Sequence, residues 1–169
     1  MSDQLSKNVT IICADESSTM ETFAFRSVLE YLGFTVSVRW IGTKKEFLDL
    51  LQGKKETDNL IVISSHGEKG KFFMPTNENI LFSELHVNLP GKTVLSVGCD
   101  TGEAKDEFLK GKCRQYIAPM DYPEGNDAMM FTVKFFWLIA QNKSIQQAFD
   151  SALADMPEGS EFMLAQNHS

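Results

Sequence analysis

Two residues of this chain have the types and the placement for nucleophilic catalysis. His66 follows the apolar run Leu60-Ile-Val-Ile-Ser64, and Cys99 follows the apolar run Thr93-Val-Leu-Ser-Val97, each after one intervening residue. A thiol attacks as its thiolate, and a nearby imidazole can take its proton or protonate a leaving amine. Cys99 stands where a strand gives way to a helix, and a helix N-terminus is expected to favour the thiolate. Gly67 permits a tight turn and close backbone approach, so its N–H and that of Cys99 are candidate oxyanion donors.

The elements that must hold this pair alternate from the start. Val9-Thr-Ile-Ile-Cys13 is a short β-branched run, suited to a buried strand. Ser18 and Glu21 have capping-box spacing ahead of a helix that buries Phe25, Val28, Leu29 and Leu32 and stops at Gly33. Phe34 to Ile41 alternates as a strand with one wetter face. Thr43 and Glu46 open a second helix, burying Phe47, Leu50 and Leu51. Leu60–Ser64 and Thr93–Val97 are apolar enough for the middle of a parallel sheet.

Between those two strands, Lys71-Phe-Phe-Met74 and Ile80-Leu-Phe82 flank a turn-rich stretch and read as a small hairpin. Glu103 to Lys110 is helical, Gln115 to Pro119 is a strand, and two helices close the chain, the last capped by Ser144. Repeated strand–helix–strand units imply an α/β domain with a mainly parallel sheet of about five strands and helices on both faces. Sites in such sheets lie beyond the carboxyl ends of the strands, which is where His66 and Cys99 fall.

An apolar strand ending in His-Gly, followed by one ending in Cys, resembles the caspase-like (clan CD) cysteine peptidases, and among them the CHAT domains. Val94-Leu-Ser-Val-Gly-Cys-Asp-Thr-Gly102 is similar to their Leu-Ser-Ala-Cys-x-Thr-Gly signature, with Val-Gly where one Ala is usual. Ile80 to Leu85, Tyr116 to Tyr122, Met129 to Ile139 and Lys143 to Ala148 follow the same order. The resemblance covers roughly residues 58 to 155. It implies a single-domain three-layer sandwich with a hairpin insertion over residues 1–169, residues 1–7 and 158–169 being peripheral. It implies endopeptidase cleavage through a thioester, with His66 as acid/base, Cys99 as nucleophile, Gly67 as oxyanion donor, and neither metal nor cofactor. The chain lacks the helical repeats and recruiting domains usual in CHAT proteins. The alternative is a catalytically inactive version of this fold that binds a protein or peptide.

The charges around the expected cleft are acidic: Glu68, Asp100, Asp121, Glu124 and Asp127. An unpaired carboxylate in a pocket selects Arg or Lys before the cut. Asp121, just past a strand end, is the leading candidate, with Asp100 and Glu124 beside it. Asp127 also fits a cap for a helix from Ala128, and Glu68 a solvated charge. Cys13 and Cys113 read as core, His86 as exposed, and His168 as part of a polar tail. Asp15-Glu16 could open a phosphoacceptor site, but the later strands lack the Asp and Lys ends it needs.

The bulk properties agree. The 169 residues suffice for one core, and 13 Phe imply an aromatic one. A net charge of −7 disfavours nucleic acid and anionic membranes and favours a basic peptide or protein substrate, with a regulatory protein as a further partner. No apolar run reaches membrane-span length, no signal pattern opens the chain, and three cysteines without metal spacing fit free thiols in a reducing cytoplasm.

Overall fold

The computed structural model describes residues 7–75, 78–123, 125–158 and 160–167. Six strands form the main sheet: β1 (Asn8–Cys13), β2 (Thr35–Trp40), β3 (Leu60–Ser64), β7 (Thr93–Ser96), β8 (Gln115–Pro119) and β9 (Phe162–Gln166). Their order is β2-β1-β3-β7-β8-β9, parallel except for β9. The two most apolar runs, β3 and β7, are therefore the central neighbours, buried at every position. Two-sided burial is what an unbroken apolar strand requires.

Alternate side chains divide between two cores. Val9, Ile11, Leu60, Val62, Leu95 and Ile117 meet α1 (Thr19–Tyr31), α4 (Gly125–Ala140) and α5 (Ile145–Ala154) on one face. Ile12, Ile61, Ile63, Val94 and Tyr116 meet α2 (Lys44–Leu51) and α3 (Lys105–Lys110) on the other. Phe131 stacks on Phe162 at 4.1 Å, and Phe108 on Tyr116 at the same separation. The expected three layers are present, with phenylalanine prominent in both cores.

The sequence-based hairpin is a three-stranded antiparallel sheet, β4 (Gly67–Glu68), β5 (Lys71–Phe73) and β6 (Asn79–Leu81). It packs onto the α2 and α3 side through Phe72 and Ile80. Its first strand begins directly after His66, so the insertion is part of the loop that carries the imidazole.

Four local expectations need revision. The chain does not close on helices, because β9 adds an edge strand whose Phe162 covers α4. Ser18 does not cap α1 with Glu21. Asp15 instead caps a short 3₁₀ turn over Glu16–Ser18, accepting the Ser18 N–H at 3.0 Å. Glu46 accepts from the Gly42 N–H, one residue before Thr43, while the Thr43 hydroxyl accepts from the Glu46 N–H. Asp127 lies inside the first turn of α4, accepting from the Ser160 hydroxyl at 3.0 Å. His168 lies outside the described residues. Among the described residues no helix is long and apolar enough to cross a membrane.

Candidate active site

The register of the central strands sets the two candidate residues past the ends of adjacent strands. The last paired positions of β3 and β7 are Ile63 and Ser96, and the Val97 N–H donates to the Ile63 carbonyl at 3.1 Å. His66 and Cys99 each lie three residues beyond that pair. The chains stay in contact past the sheet edge. A Cβ on Gly98 would meet the Ser65 carbonyl oxygen at 3.0 Å, and one on Gly67 would meet the Cys99 carbonyl oxygen at 2.5 Å and Thr101 Cγ2 at 2.7 Å. Glycine at 67 is thus a steric requirement of the backbone crossing next to the thiol.

Gly67 also has the right polarity outward. It stands opposite Phe72 in the β4–β5 ladder, while the Phe73 N–H donates to the His66 carbonyl at 3.1 Å. That pattern makes Gly67 and Phe72 a non-hydrogen-bonded pair, so the Gly67 N–H turns away from β5.

His66 is exposed and its loop is tied to the first strand–helix turn. Asp15 Oδ2 accepts from the His66 N–H at 3.2 Å and from the Ser18 hydroxyl at 3.1 Å, and Asp15 also accepts from the Ser17 hydroxyl. Glu21 reaches the end of β3. Its Oε1 accepts from the Ser64 hydroxyl at 2.5 Å, two residues before His66. Burial pushes the Glu21 carboxyl up, while Ser64 and the charge of His66 pull it back. Only the return of β3 alongside β1 brings Asp15 and Glu21 to the loop that carries His66.

Cys99 is half-buried, whereas Cys13 and Cys113 are buried, and all three are free. The expectation of a favoured thiolate does not hold. Burial raises the Cys99 thiol pKa, and the charges of Asp100, Asp121 and Glu21 raise it further. A single 3₁₀ turn, Thr101–Ala104, follows it before the six-residue α3, so no long helix dipole opposes three carboxylates.

The acidic candidates are placed unequally. Asp100 is nearly buried and left-handed, at φ +55°. Its N–H donates to the Asp121 carbonyl at 2.9 Å, and its Oδ2 accepts from the Lys69 N–H at 3.5 Å. The Tyr122 hydroxyl hydrogen-bonds to it and is pushed up to about 12, chiefly by that carboxylate. Asp121 is half-buried, and its Oδ1 is enclosed without a hydrogen-bond partner among the described residues. Glu124 lies outside the described residues. Glu68 is half-buried beside Lys69, at 3.6 Å. Among the described residues no group of three His, Cys, Asp or Glu is gathered to hold a metal ion.

An open groove of about 800 Å³ is lined by His66 and Gly67, the Asp15–Ser17 turn and the small sheet. The arrangement can present an imidazole and an outward N–H to a groove large enough for part of a peptide, with the Cys99 loop next to Gly67.

No protein-family model matches the sequence, and no curated protein matches it. Among solved structures, the Arg-specific cysteine proteinase gingipain R is similar with a TM-score of 0.59 at 11% identity, over 85% of this chain and 39% of that one. The chain therefore spans well under half the length of that proteinase. The likeness shows a caspase-like fold. Two structures of Staphylococcus aureus pyridoxal kinase give TM-scores of only 0.39 and 0.40 at 10% identity, covering 96% of this chain and 99% of theirs.

Proposed function

We propose that the protein is a cysteine endopeptidase acting through Cys99 and His66, of the CHAT type within the caspase-like group. The observation that carries this reading is the matched register: both residues stand three positions past the Ile63–Ser96 pair of adjacent central strands. Because the free thiol is held protonated, proton transfer to His66 belongs to the substrate-bound state. The sulfur then attacks the peptide carbonyl carbon, and the N–H groups of Gly67 and Cys99 receive the developing oxyanion. His66 returns the proton to the leaving nitrogen as the C–N bond breaks. Water, deprotonated by His66, hydrolyses the thioester. Glu21 stabilises the imidazolium.

The substrate is a protein or peptide with Arg or Lys before the cut, recognised by Asp121. Its charge already reaches Cys99, and its carbonyl accepts from the N–H of Asp100 beside the thiol. Asp100 has the φ of a strained turn and several internal ties, so its part is to shape the loop. A reducing cytoplasm suits three free cysteines, and a regulatory protein is a further partner.

The raised Cys99 pKa favours one second reading, an inactive fold that holds a basic peptide in the same cleft. A fluorogenic library of aminomethylcoumarin amides, differing in the residue before the cut, separates the two. Turnover that vanishes in Cys99→Ala supports the peptidase, with His66→Ala retaining a slow, alkylatable thiol. Binding of basic peptides without turnover supports the module.

A further inference from the structure

The groove beside His66 has a composition that the cleavage reaction alone does not use. His66 and Gly67 line it, whereas Cys99 does not, so it lies on the imidazole's side of the pair. Resting on the peptidase reading above, the chemistry decides which half of a substrate enters. The carbonyl carbon bonds to Cys99 Sγ, the C–N bond breaks, and the thiol proton passes through His66 to the departing nitrogen. That nitrogen must lie within hydrogen-bond reach of the imidazole. The chain that follows the cut therefore continues past His66 and into this groove.

Its walls and rim differ in kind. Phe73 and Met74 of the small sheet and Tyr122, which is 56% exposed, supply the apolar surface. Glu16 and Glu68 supply charge at the edge. Asp15 borders the same space, but its carboxylate is committed to Ser17, Ser18 and the His66 N–H. Glu16 forms no ion pair among the described residues, and Glu68 has Lys69 at 3.6 Å, an exposed and weakly held counter-charge. An apolar trough with two spare carboxylates at its rim complements an amphipathic cationic segment.

We propose that this groove is a leaving-group subsite, which selects peptides carrying an apolar residue followed by a basic one after the cut. The selection is separate from the reading of the residue before the cut, since Asp121 does not line the groove.

Internally quenched peptides sharing one optimal sequence before the cut, but ending in Leu-Lys or in Glu-Asp after it, test this directly. The best coumarin amide, which lacks any residue after the cut, is measured in parallel as the reference. The expected result is a kcat/KM about tenfold higher for Leu-Lys than for Glu-Asp. Glu16→Lys, at an exposed position, should reduce that ratio by about threefold, and added salt should reduce it in the wild type. Cleavage of the coumarin amide with the two peptides equal within about twofold would overturn the subsite and leave the peptidase standing. No turnover of any substrate would overturn the peptidase reading and this subsite with it.

Discussion

Gly67 and Cys99 are in backbone contact so close that a methyl group on Gly67 would stand 2.5 Å from the Cys99 carbonyl oxygen. Thr101 Cγ2, at 2.7 Å, closes the other side, and Thr101 is itself pinned by its hydroxyl on the Gly98 carbonyl and by the Tyr116 hydroxyl on its own carbonyl. Neither neighbour can yield cheaply. Gly67→Ala should therefore destabilise the fold by about 1–3 kcal/mol and move the His66 loop off the Cys99 loop. Thermal unfolding checks the first effect. Peptide turnover in the folded fraction should fall well beyond what the lost stability explains, because the displaced N–H no longer faces the carbonyl.

The three cysteines should separate cleanly in alkylation. Cys113 is fully buried, with its thiol pushed up to about 12, and Cys13 is 3% exposed. Iodoacetamide at neutral pH should modify Cys99 alone in the native protein, as read by peptide mass mapping. The rate should climb steadily with pH from 6 to ~9 rather than level off early, since a thiol raised above its ordinary value, ~8.5, stays largely protonated through that range. A plateau below pH 7 would mean a preformed thiolate–imidazolium pair and would contradict the carboxylate field described here.

Much of the scaffold was legible in the sequence because apolar run length and helical spacing report directly on burial. β1, β3, β7 and their helices follow from Val9–Cys13, Leu60–Ser64 and Thr93–Val97 alone. The strand β9 was not, since Phe162–Gln166 carries mixed residues and gains its place only by pairing with β8 and stacking Phe162 on Phe131. The candidate dyad was legible for the same reason as the strands: both residues follow apolar runs at equal offsets. Asp15 and Glu21 were not, because Asp15 read only as part of an incomplete phosphoacceptor set and Glu21 as half of a capping box. The sign of the Cys99 shift also escaped the sequence, as Asp121 and Glu21 join the neighbouring Asp100 around it only in the folded chain.

Glu21 offers a test in which activity and stability part company. Its pKa is raised on folding, so its neutral form is favoured in the native state. The stabilising contribution is complete below the unfolded value of ~4.3 and is lost as pH rises through the higher folded value. At neutral pH the ionised carboxylate costs stability. Glu21→Gln keeps an oxygen to accept from Ser64, and should be as stable as the wild type or more so at pH 7, with the advantage vanishing below pH ~4. Turnover should nonetheless drop by roughly tenfold, because the imidazolium formed at His66 loses its counter-charge.

Asp100 and Asp121 should respond differently to removal of charge, although both raise the Cys99 pKa. Asp100 holds φ +55°, a conformation that Asn tolerates nearly as well as Asp. Asp100→Asn should keep the loop, lower the thiol pKa and speed alkylation at pH 7 by about two- to fivefold. Asp121→Asn should also speed alkylation, but its main effect belongs to the substrate. Its charge reaches Cys99, so a guanidinium arriving beside the thiol would meet the field of that carboxylate. The variant should lose about ten- to a hundredfold in kcat/KM on Arg coumarin amides and little on neutral ones. The ratio of the Arg rate to the neutral rate, measured in both variants, is the discriminating quantity. An unchanged ratio in Asp121→Asn, or cleavage by the wild type after Asp in preference to Arg, would remove Asp121 from substrate recognition.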